Sequence, residues 1–125
     1  MPENPRASGS RRRVLLVEDE AMIAMLVEDM LDDLGHELVT VASRLDEALA
    51  AAKTGAIDVA ILDLSLGGVL TYPVADVLAQ RGIPFVFATG YGSSGLKEAY
   101  ADRPALQKPF VQQALGDAIA LACGT

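Results

Sequence analysis

Ile57-Asp58-Val59-Ala60-Ile61-Leu62-Asp63 is apolar at five of its seven positions, with aspartates at 58 and 63. A strand wet on one face alternates apolar and polar side chains. One apolar on both faces is a parallel strand covered by helices on each side. We therefore read residues 57–62 as the central strand of a parallel sheet, with Asp63 directly after it. On the N-terminal side, residues 13–17 form a similar run, followed by Ile23, Leu26, Val27, Met30, Leu31 and Leu34 at helical spacing, with Gly35 as the stop. Residues 37–42 read as a second strand. Ser43 is expected as an N-cap with Glu47 near the first turn, and Leu45, Ala48, Leu49 and Ala52 share one face of a helix closed by Thr54 and Gly55.

On the C-terminal side, a Gly67-Gly68 loop leads to a helix expected to start at Thr71-Tyr72-Pro73 and to end at Arg81-Gly82. Residues 85–88 give a fourth strand and residues 105–107 a short fifth. Between them, residues 92–103 carry two glycines and a weak helical pattern. Val111, Ala114, Leu115, Ala118, Ile119 and Ala122 face inward from a last helix. Alternating strands and helices joined by right-handed crossovers build one α/β fold, a doubly wound (βα)5 parallel five-stranded sheet.

A chain of 125 residues that is 51% hydrophobic is long and apolar enough for one packed domain. Residues 1–11 are expected to be a disordered lead-in and residues 12–125 the folded domain. The apolar run after Arg11, Arg12 and Arg13 is too short for an export signal or a membrane span, and a single cysteine, Cys123, suits a reducing compartment. A cytoplasmic protein is expected, with no membrane partner. A net charge of −7 opposes nucleic-acid binding, and Tyr72, Tyr91 and Tyr100 form no basic-aromatic stripe. The one histidine, His36, follows a helix stop and is not placed to carry a phosphoryl group.

In an open parallel sheet the carboxyl ends of the strands share one edge, where ligands bind. That rule gathers Glu18, Asp19 and Glu20 after the first strand, Asp63 after the third, Thr89 at the end of the fourth and Lys108 after the fifth. Like charges ~4 Å apart repel by up to ~4 kcal/mol per pair at an effective dielectric of ~20. Such a cluster calls for a cation, and an all-oxygen site of few carboxylates suits Mg²⁺. A carboxylate nucleophile, a metal, a lysine and a hydroxyl donor are the parts that phosphoryl transfer uses.

The segments at residues 15–20 (Leu15-Leu16-Val17-Glu18-Asp19-Glu20), 60–66, 87–91 (Phe87-Ala88-Thr89-Gly90-Tyr91) and 107–110 (Gln107-Lys108-Pro109-Phe110) together resemble response-regulator receiver domains, over about residues 12–123. The resemblance implies a flavodoxin-like sheet of order 2-1-3-4-5. It also implies Asp63 as phosphoacceptor, Thr89 as switch hydroxyl and Lys108 as the cation on the phosphoryl group. Mg²⁺ would be held by Asp19, Asp63, the backbone carbonyl of Ser65 and, through water, Glu18, with Pro109 in a cis peptide. The chain departs from the common pattern at Leu66-Gly67, where a Met-Pro pair is usual, and at Ala105, where most receivers have the aromatic ring that relays the switch. In these features it is similar to the Phe-Ala-Thr-Gly-Tyr (FAT GUY) group, often single-domain proteins of phosphorelays.

The implied function is a stand-alone two-component receiver, not a classical enzyme. It would take phosphoryl groups from a histidine kinase or phosphotransfer protein, lose them by slow autodephosphorylation and signal to a downstream protein by contact. Without a ring at Ala105, residues 92–103 are expected to shift, with Tyr91 replacing the missing aromatic. Two other classes compete. A phosphorylation-independent receiver-like binding module needs no intact site. A haloacid-dehalogenase-type phosphatase wants an acid two residues past its nucleophile, where this chain has Ser65.

Overall fold

The computed structural model describes residues 11–90, 96, 100, 101 and 103–124. Among these residues, seven strands and four helices follow one another: β1 (Arg13–Val17), α1 (Ala21–Asp33), β2 (Glu37–Ala42), α2 (Leu45–Thr54), β3 (Val59–Asp63), β4 (Ser65–Leu66), β5 (Val69–Leu70), α3 (Tyr72–Gln80), β6 (Phe85–Thr89), β7 (Ala105–Gln107) and α4 (Gln112–Cys123). Five strands pair in parallel in the order β2-β1-β3-β6-β7, which is the expected 2-1-3-4-5 when only those strands are counted. The weak helix expected within residues 92–103 lies outside the described residues, apart from Leu96, Tyr100, Ala101 and Arg103. So does the lead-in, apart from Arg11.

Alternation along the strands sorts the core into two layers. Leu15, Val17, Leu62, Phe85 and Phe87 pack with Ala48 and Ala52 of α2, with Val74, Ala75 and Leu78 of α3, and with Tyr100. On the opposite face Val14, Leu16, Ile61, Val86 and Leu106 meet Val27 and Leu31 of α1 and Leu115 and Ile119 of α4. The Arg81 guanidinium ties the first layer's helices by donating from Nη1 to the carbonyls of Ala52 at 2.7 Å and Gly55 at 3.1 Å. Among the described residues, no helix is long and apolar enough to cross a membrane.

Several expected boundaries shift. β3 begins two residues late, at Val59, because its pairing with β1 starts at Val14↔Val59. The Asp58 carboxylate instead takes the backbone N–H of Arg13 at 2.7 Å and its guanidinium at 3.0 Å, which pulls the Asp58 carboxyl below its ordinary range. β3 also includes Asp63, and β6 runs on to Thr89. Ser43 is not the N-cap of α2; Arg44 holds that place, and the Glu47 carboxylate reaches back to accept from the Ser43 N–H at 3.1 Å. The Gly67-Gly68 loop is the turn of a hairpin, β4 pairing antiparallel with β5. With φ of 56° and 91° at its two central residues, it has the twist of a type I′ turn, a conformation that glycine adopts without strain.

Candidate functional site

The parallel register brings the carboxyl ends of β1, β3, β6 and β7 to one edge of the sheet, and the polar residues that follow them meet there. Glu18, just past β1, is 4% exposed, and Asp63, the last residue of β3, is 9% exposed. Lys108 joins them: its Nζ donates to Glu18 Oε1 at 3.0 Å and to Asp63 Oδ2 at 3.1 Å. The lysine backbone is fixed too, its N–H donating to the Thr89 carbonyl at 2.9 Å, and the Lys108–Pro109 peptide is cis. Thr89 is buried at the end of β6, one residue beyond Ala88, the register partner of Asp63.

Burial pushes the Glu18 carboxyl above its ordinary range. The hydrogen bonds from Lys108 and the Glu20 amide oppose that, while the Asp63 charge adds to it. Burial draws the Lys108 ammonium down, but its two hydrogen bonds and the charges of its partners outweigh that and leave its pKa raised. The other Asp63 oxygen, Oδ1, accepts the Ser65 N–H at 3.3 Å. Asp63 is thus directed from two sides, by an ammonium at one oxygen and an amide at the other.

Glu18, Asp19 and Glu20 each offer a carboxylate oxygen, all within 4.8 Å of one another. Asp19 and Glu20 are exposed, so their oxygens open to solvent beside the buried Glu18. This hard, all-oxygen donor set fits Mg²⁺. Of the expected ligands, Glu18 and Asp19 lie together with Glu20, and Asp63 joins Glu18 through Lys108. The Ser65 N–H faces Asp63.

Two residues at or behind the site gave no signal in the sequence. The Thr71 hydroxyl is fully buried against the backbone of Asp63 and Leu64, where the sequence showed only a helix start. Tyr100 is buried among Tyr72, Phe85 and Phe87, and its hydroxyl donates to Asp76 on α3. Ala105 pairs with Phe87 and so presents its side chain to this same layer. Tyr91, the expected replacement for a ring at Ala105, lies outside the described residues. The described ring in that layer nearest in sequence to Ala105 is Tyr100. His36, at the opposite end of β1, accepts the Arg12 N–H at Nδ1 and takes no part in the site.

A family model, the response regulator receiver domain, matches residues 14–120. Among curated proteins, the chain is 36% identical over 115 residues to the transcriptional regulatory protein PdtaR of Mycobacterium tuberculosis, covering 89% of this chain and 56% of that protein. It thus spans about half the length of that relative. Among solved structures, the solution structure of SdrG from Sphingomonas melonis Fr1 is 44% identical with a TM-score of 0.81, covering 92% of this chain and 98% of that one. The BeF3-activated conformation of SdrG, assigned to Pseudomonas melonis Fr1, is 44% identical with a TM-score of 0.76, covering 89% and 95%.

Proposed function

The chain belongs to the response regulator receiver domain family, and from that premise we propose that it accepts a phosphoryl group on Asp63 from a histidine kinase or phosphotransfer protein and passes the signal on by protein contact. The observation that carries this is the placing of Asp63 at the end of the central strand, with Lys108 on Oδ2 and the Ser65 amide on Oδ1. An Asp63 oxygen attacks phosphorus, forming a P–O bond as the P–N bond to the donor histidine breaks. The electron pair leaves with the imidazole nitrogen. The Lys108 ammonium and the Thr89 hydroxyl then face the phosphoryl oxygens and disperse their charge.

Asp19, Asp63, the Ser65 carbonyl and, through water, Glu18 would hold a bound Mg²⁺, which supplies positive charge against the phosphoryl oxygens. The hydrogen bonds that now tie Lys108 to two carboxylates keep its ammonium over the acceptor before a phosphoryl group arrives. Intrinsic autodephosphorylation is the only turnover proposed, and the setting is cytoplasmic.

Incubation with acetyl phosphate and Mg²⁺, read by intact mass, tests the assignment. The wild-type chain gains ~80 Da, the mass of one phosphoryl group, and Asp63→Asn does not. Labelling that persists in Asp63→Asn moves the site elsewhere. An unlabelled wild type beside a labelled control receiver makes the chain a binding module.

A further inference from the structure

Thr71 stands at the N-cap of α3, where a threonine oxygen commonly accepts an N–H of the first turn. It makes no such bond. Its fully buried hydroxyl points the other way, donating to the Asp63 carbonyl at 2.7 Å and lying 3.2 Å from the Leu64 carbonyl. The Thr71 N–H donates to the Leu64 carbonyl at 3.0 Å, and the Thr71 carbonyl accepts the N–H groups of Val74 and Ala75. Helix and acceptor strand are therefore joined through one residue.

The Asp63–Leu64 peptide is held at both ends. Its N–H, on Leu64, donates to the Ala88 carbonyl of β6 at 2.9 Å, while its C=O, on Asp63, accepts the Thr71 hydroxyl. The sheet provides the first bond. Among the described residues, the threonine side chain provides the second, at the place where β3 ends. This peptide sets both the direction in which the Asp63 side chain leaves the backbone and the place of the Ser65 N–H on Oδ1.

We propose that Thr71 is a positioning residue for phosphoryl acceptance, its hydroxyl pinning the Asp63–Leu64 peptide and so aiming the Asp63 carboxylate. The reaction half of this rests on Asp63 being the phosphoacceptor; the aiming half does not. Thr71→Val removes the hydroxyl at nearly constant shape, and Thr71→Ser restores it. The first readout needs no phosphoryl group. The Ser65 amide, bonded to Oδ1, is followed by its hydrogen exchange at one fixed pH. Thr71→Val speeds that exchange severalfold while the Leu64 amide, held by the sheet, keeps its rate, and Thr71→Ser restores the Ser65 rate. The second readout is uptake from acetyl phosphate, which falls about tenfold or more (~1.4 kcal/mol) in Thr71→Val and recovers in Thr71→Ser. Should Thr71→Val fail to fold, Thr71→Ala gives both readouts.

An unchanged Ser65 exchange rate in the folded variant overturns the proposal, whatever happens to uptake. So does faster exchange with uptake unchanged, since aiming would then not serve acceptance. If the wild type takes no phosphoryl group while Thr71→Val still speeds Ser65 exchange, Asp63 is not the acceptor, and the hold of Thr71 upon it stands.

Discussion

Glu18 and Asp63 are buried on either side of one ammonium, and much of the site's electrostatics follows from that arrangement. Lys108→Met leaves two carboxylates facing each other with little water. Losing a hydrogen bond between charged groups costs ~1.5–3 kcal/mol, so the two cost ~3–6 kcal/mol, and the partial exposure of the lysine puts the total toward the lower end of that range. The Glu18 carboxyl is already raised by burial, so in the variant it takes up a proton more readily in the folded chain than in the unfolded one. Stability should then recover as pH falls from 7 toward 5, and urea titrations at both values read the difference; an equal deficit at the two would refute the coupling. His36 behaves oppositely. Burial first, then the Arg12 and Arg11 charges, hold its pKa below the ordinary 6.5, so its contribution is complete above that value and declines as pH falls beneath it. His36→Asn keeps an acceptor for the Arg12 N–H without the titration, and its melting temperature should fall less than the wild type's between pH 6.5 and 5. Glu18, Asp63, Thr89 and Lys108 were legible from the sequence because the strand-end rule needs only the order of strands. Thr71 was not, since its partner is a carbonyl eight residues away and carbonyls leave no mark on side-chain pattern.

The hairpin of β4 and β5 is the element the sequence concealed. Two residues per strand are too few to show a period of two, so Gly67 and Gly68 suggested only a loop. Both glycines have positive φ, and nothing lies within 4 Å of a Cβ built on Gly68. Gly68→Ala therefore meets no steric bar. Its cost is conformational, ~1–2 kcal/mol, with Gly68→Asn costing less because asparagine tolerates that region. Denaturant unfolding of the two variants gives the order, and an alanine variant as stable as wild type would mean the turn relaxes to another type. The strands of the main sheet were easier to find. Residues 13–17 and 37–42 match β1 and β2 because their Val- and Leu-rich stretches are bounded by polar or turn-forming residues, whereas α2 starts at Leu45 with Arg44 as its cap and the Glu47 carboxylate bonded to Ser43.

Across the whole sheet the two layers differ in kind. Tyr72, Phe85, Phe87 and Tyr100 are grouped on the α2/α3 side with centroids 5.5–6.0 Å apart, while the α1/α4 side is aliphatic apart from Phe110 at its margin. Phe87 is fully buried and touches both tyrosine rings, so Phe87→Ala should cost ~3–5 kcal/mol, readable as a shifted denaturation midpoint. The two-layer plan was legible because every parallel strand alternates between the faces. Which face would collect the rings was not, because Tyr100 comes from a stretch with little periodicity of its own. The segregation gives the chain two optical and chemical reporters. With no tryptophan, its near-ultraviolet dichroism rests on tyrosines, and Tyr72 and Tyr100 both lie in the ring layer. Burial and the Asp76 hydrogen bond push the Tyr100 hydroxyl up to about 12. Cys123, the single thiol, packs against the aliphatic layer. Dichroism and thiol-labelling rate, followed through one denaturant series, therefore watch opposite faces of the same sheet. Coincident curves mark a single cooperative unit, and labelling that runs ahead of the dichroism marks α4 as the first part to detach.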